Sequence, residues 1–126
     1  MKKVIVLLGL IIVLLFLVNG CQEKKIEFKF NSSVCGANIG EQNQSQFGKE
    51  NVEWFSDTLL KVSFLVQTNC ADTIKNGDYS ISEDKIALYY GIERCTTCTT
   101  CLCPRELTYT FYNIPKKDYQ FEIKEI

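Results

Sequence analysis

The chain has 126 residues, room for one domain, with a formal net charge of −1, seven cysteines and no histidine. The missing histidine excludes Ser-His-Asp and Cys-His catalysis, and every zinc or copper site built on imidazole. Without Lys2 and Lys3 the remainder carries about −3, which argues against a nucleic-acid partner, since phosphates call for a basic face.

Met1-Lys2-Lys3 is a positive start, Val4 to Val18 an almost unbroken apolar run, and Asn19-Gly20 brings a small residue directly before Cys21. That order of parts is a secretory signal. The run of about fifteen residues falls short of the roughly twenty that a membrane-spanning helix needs. Leu17-Val18-Asn19-Gly20-Cys21 resembles the lipobox of prokaryotic lipoproteins, and the resemblance covers residues 1–21 alone. It implies a signal peptide at 1–20 and a Cys21 carrying covalent lipid, diacylglycerol and palmitate. It also implies a short tether at 21–25 and an exported protein anchored to the cell membrane or outer membrane. Gln22 in place of Asp after the cysteine implies, by that family's sorting rule, the outer membrane where there are two.

Ile26-Glu27-Phe28-Lys29-Phe30 alternates apolar and polar side chains and predicts a strand that opens a single β domain at 26–126. The four residues Gln22 to Lys25 extend to at most about 14 Å, so the domain is expected close against the lipid surface. Residues 31–51 are polar, carry Gly36, Gly40 and Gly48, and read as a long loop stapled by Cys35. Asn31-Ser32-Ser33 and Asn43-Gln44-Ser45 match the glycosylation tripeptide, a pattern that also arises by chance. Val52 to Phe55 reads as a short strand with Trp54 in the core. Leu60, Val62, Phe64 and Val66 give the best-patterned strand, which ends at Asn69-Cys70.

Asp72 to Asp78 holds turn formers, Asn76-Gly77 foremost, and Tyr79–Ile81 with Lys85–Tyr90 flank a hairpin turn at Ser82-Glu83-Asp84. Ile86, Leu88 and Tyr90 are expected inward and Tyr89 outward. Leu107, Tyr109 and Phe111 alternate likewise. A turn at Asn113 to Asp118 then predicts a closing hairpin with Tyr119, Phe121 and Ile123, similar to the last hairpin of immunoglobulin-like or fibronectin-type sandwiches. Six or seven short strands without a helix predict an all-β fold: a small antiparallel β-sandwich held by disulfides, with a small β-barrel as second choice.

Cys95 to Pro104 reads C-T-T-C-T-T-C-L-C-P. With Cys21 lipidated, Cys35, Cys70, Cys95, Cys98, Cys101 and Cys103 remain, an even number in an exported chain and hence a disulfide framework. Six cysteines allow fifteen connectivities, and every one places at least one bond inside the cluster. A strand end and a strand start meet in antiparallel neighbours, which favours Cys70 reaching the cluster. Two alternatives stay open: an all-thiolate zinc or copper(I) site at Cys95, Cys98, Cys101 and Cys103, and thiol–disulfide exchange through a C-T-T-C pair. The run also looks like a bacterial ferredoxin motif, but one residue precedes its last cysteine where that family has three. Asp57, Asp72, Asp78 and Asp84 fall in turns, where solvation explains them. Tyr89, Tyr112 and Lys116-Lys117 are candidate surface contacts.

The expected function is a non-enzymatic structural or binding role at the cell envelope, with membrane lipid as one partner and an envelope protein or ligand as another. No catalytic residue is assigned, and no cofactor besides the lipid. Metal capture or thiol exchange through Cys95–Cys103 is the alternative.

Overall fold

The computed structural model describes residues 24–35, 46–98 and 100–126. The signal segment, Cys21, and residues 36–45 of the long loop, with Gly36, Gly40 and the Asn43 tripeptide, lie outside the described residues. Seven strands follow in order: β1 (Glu27–Ser32), β2 (Glu50–Ser56), β3 (Leu59–Asn69), β4 (Thr73–Ser82), β5 (Lys85–Glu93), β6 (Leu102–Tyr112) and β7 (Gln120–Glu125). They form a four-stranded antiparallel sheet, β1-β6-β3-β2, and a three-stranded sheet, β4-β5-β7. The two sheets make a sandwich and do not close into a barrel. Every strand pair is antiparallel except β5–β7, which is parallel.

Alternation sets the inner faces, because successive side chains of a strand point to opposite sides. Leu60, Val62, Phe64 and Val66 of β3 and Leu107, Tyr109 and Phe111 of β6 are buried, against Ile86 and Leu88 of β5 from the other sheet. Each such side chain contributes roughly 1.5–3 kcal/mol when fully buried. Tyr109 alone among them has a polar tip, and it donates to the Tyr89 carbonyl at 2.7 Å. Burial pushes its phenol well above the ordinary tyrosine range. Trp54, expected in the core, is half-buried on the flank, where it stacks on Tyr119 with ring centroids 6.4 Å apart.

The β4–β5 hairpin turns at Glu83-Asp84, where Glu83 takes a positive φ of 54°. Asn76-Gly77 is not a turn. It lies within β4 at a register shift, and a Cβ on Gly77 would meet the Phe30 ring at 2.2 Å. Gly77 therefore lets β1 and β4 approach on that side of the sandwich.

The closing hairpin does not form either. β6 belongs to the four-stranded sheet, whereas β7 pairs in parallel with β5 in the other. The physical reason is Ile114, fully buried in the middle of the polar turn, which draws the chain across the base of the core. Asn113 makes the corner with a positive φ of 60°. The Ile114 N–H donates to the Thr58 carbonyl at 3.2 Å, and the Gln120 N–H to Asp84 at 2.8 Å. Lys117 adds a bond of 2.7 Å to the Asp84 carboxylate and another of 2.7 Å to the Glu83 carbonyl.

Pro104 sits inside β6, a strand between two neighbours. It is tolerated because β1 stops at Ser32, opposite Leu107, so β6 has only β3 beside it at Pro104.

Candidate functional site, a disulfide knot at one end of the sandwich

Strand directions bring all six cysteines of the β domain to one end. There β1, β3 and β5 finish while β4 and β6 begin. Three pairs stand at disulfide distance: Cys35–Cys103 with Cα atoms 5.7 Å apart, Cys70–Cys101 at 5.4 Å and Cys95–Cys98 at 5.9 Å. Cys70–Cys101 extends the β3–β6 ladder past Asn69↔Leu102, helped by a 3.0 Å bond from the Cys70 N–H to the Cys101 carbonyl. Cys35–Cys103 ties the exit of β1 to β6, alongside Ser33, whose N–H and hydroxyl each bond the Glu106 backbone at 2.9 Å. Cys95–Cys98 is the one bond inside the cluster, and it closes a loop within the β5–β6 link.

One bond stands apart in exposure. Cys103 in β6 is 1% exposed, whereas each of the other two bonds joins an exposed cysteine, Cys101 or Cys95, to a half-buried one, Cys70 or Cys98; Cys35 is exposed. With all six sulfurs paired, an all-thiolate metal site at Cys95, Cys98, Cys101 and Cys103 would first require reduction, because the metal binds the deprotonated thiol.

Beneath the knot lies a polar seat that reading the sequence assigned to solvent. Asp72 is 5% exposed, in the short link from β3 to β4. Its Oδ1 accepts the Cys95 N–H at 3.0 Å and its Oδ2 the Asn69 N–H at 3.0 Å, and the Arg94 guanidinium stands at 4.0 Å. The Cys95 N–H foremost holds this carboxyl below the ordinary aspartate value of 3.8. Burial opposes it, while the Asn69 N–H and the charges of Arg94 and Arg105 add to the lowering. Arg105 fastens the same link from β6. Its Nε donates to Thr68 Oγ1 at 3.1 Å, and its Nη2 to the Asp72 carbonyl at 2.8 Å and the Cys70 carbonyl at 3.4 Å. Arg94 also pairs with Glu125, which brings the end of β7 to the same place. The seat was missed because Asp72 stands among turn formers, and no sequence signal marks a carboxylate that receives N–H groups from residues 3 and 23 positions away.

The remaining candidates lie elsewhere. Asp57, Asp78 and Asp84 are exposed. Tyr89 is half-buried with its hydroxyl 3.2 Å from Ser80 Oγ, and Tyr112 lies under the Lys29 ammonium at 5.8 Å. Lys117 is engaged at the base, as described above. The base also carries an open cleft of about 710 Å³ whose lining includes Lys24, Lys25, Ile26, Tyr79 and Pro115, well away from the cysteines. No family model, curated protein or solved structure matches the chain.

Proposed function

We propose that the protein is an exported lipoprotein, held at the membrane by lipid on Cys21, that presents its disulfide knot away from the lipid surface in a non-enzymatic binding or structural role. The observation that carries this is polarity of arrangement. Lys24–Ile26 lead into the base of the sandwich, where Asn113 Nδ2 donates to the Lys25 carbonyl at 3.4 Å. From there β1 runs six residues, about 20 Å, to the end where Cys35 meets Cys103. A tether of about 14 Å then keeps the base near the bilayer and leaves the knot as the outermost surface. Three disulfides suit an oxidising compartment, and a small core gains from such covalent ties. The basal cleft, bordered by Lys24 and Lys25, faces the tether and the headgroups.

Fractionation of cells carrying the wild type or Cys21→Ser tests the proposal. Wild type is expected in the membrane fraction and released by detergent alone, and the variant in the soluble or secreted fraction. Unchanged membrane association of the variant sinks the anchor. A second reading, thiol exchange, is favoured by one specific observation: Cys95–Cys98 is local and accessible.

A further inference from the structure

We infer that Cys95–Cys98 is a reactive disulfide that accepts two electrons from the exposed dithiol of another protein in the same compartment, while the other two disulfides keep the sandwich assembled. The inference rests on the exported reading above, which supplies an oxidised knot at an accessible end. Four observations carry it.

Cys95–Cys98 spans a sequence separation of 3, against 31 and 68 for the other pairs, so breaking it frees no strand from its neighbours. Cys95 is exposed and Cys98 half-buried, so an incoming thiolate can reach the bond. Cys103 is 1% exposed, so a thiolate departing there is poorly solvated and Cys35–Cys103 resists the same attack. Both sides of Cys70–Cys101 are held in place, by the Cys70 N–H to Cys101 carbonyl bond and by Arg105 on the Cys70 carbonyl, so a cut there recloses.

The exchange balances with a dithiol alone. One thiolate of the donor attacks Sγ of Cys95 or Cys98, the bond between those sulfurs breaks, and the other sulfur leaves as a thiolate. The donor's second thiolate then attacks the donor sulfur of the mixed disulfide. The donor departs as a disulfide, and its two protons end on Cys95 and Cys98.

The test uses the full protein extracted from membranes in mild detergent and titrated with dithiothreitol as the probe dithiol. Free thiols are then alkylated under native conditions and located by peptide mass. Cys95 and Cys98 should label together at about ten-fold less dithiothreitol than Cys35, Cys70, Cys101 or Cys103, with the β circular dichroism unchanged. Labelling of Cys70 or Cys35 at the same concentration, or before the C-T-T-C pair, overturns the inference. A Cys95→Ser, Cys98→Ser double variant is expected to fold and to show no labelling in the low window. Loss of its β signal would make the local bond a structural staple and also overturn the inference. Because these readings are chemical and the Cys21→Ser test reads location, either can fail without the other.

Discussion

The two ends of the sandwich solve one problem by different means. At the knot the chain changes sheet twice, from β3 to β4 and from β5 to β6, and at the base once, from β6 to β7. The apical switches are secured by three disulfides around a buried carboxylate; the basal one is secured by Ile114 driven into the core, with Asn113 and Lys117 fastening its flanks. The difference teaches where each device works. The β3–β4 link is three residues long, and the β5–β6 link from Arg94 to Cys101 consists of arginine, cysteine and threonine, so neither offers a large apolar side chain to the core, and cross-links and a charge seat hold the knot. The turn at the base carries Ile114, a side chain that reaches the core.

The largest effect should come from unfastening the knot. A Cys35→Ala, Cys103→Ala double variant loses the longest loop constraint and is expected to cost about 4 kcal/mol of stability by urea denaturation. A smaller loss than the basal substitution below would break the contrast. At the base, Ile114→Ala leaves a cavity where a fully buried side chain stood and should cost about 3 kcal/mol in the same experiment. Removing only the local bond, with Cys95→Ser and Cys98→Ser, should cost no more than about 2 kcal/mol, since so short a loop restricts the unfolded chain little.

The smallest effect concerns the seat. Asp72 has a lowered folded value, so its contribution is present above 3.8 and is lost as pH falls through that lower value. Asp72→Asn should therefore be less stable than wild type near neutrality, with the gap in denaturation midpoint narrowing as pH falls below 3.8. A gap that widens in acid would show that the charge is not what holds Cys95.

Much of the fold was legible because period-two alternation marks a strand whatever its partner. Leu60 to Val66, Ile86 to Tyr90 and Leu107 to Phe111 were each placed on the correct inner face, and the Glu83-Asp84 hairpin was found from its turn residues. Asn76-Gly77 misled because glycine serves both a turn and a close approach; here the Phe30 ring takes the space of its missing Cβ. The Asn113–Asp118 turn misled because Asn, Pro and Asp serve a sheet-to-sheet crossing as well as a hairpin. The one local sign was an isoleucine in a polar turn. At the site the sequence marks every cysteine, whereas it reads Asp72 as a solvated turn residue and gives no sign of Arg105, since their partners are assembled by β3, β5 and β6 together.

By itself, then, the sequence determined an all-β domain, the inward face of most strands, and a knot with at least one local bond, as the even count of six cysteines and the packing of four into nine residues require. Only the tertiary structure decided that the local bond is Cys95–Cys98, that β7 leaves β6 to run parallel to β5, and that the apical carboxylate is buried. Alternation specifies which face of a strand meets the core and says nothing of which strand lies beside it. Cysteine spacing likewise limits the possible bonds, while the choice among them waits on where distant strand ends come to rest.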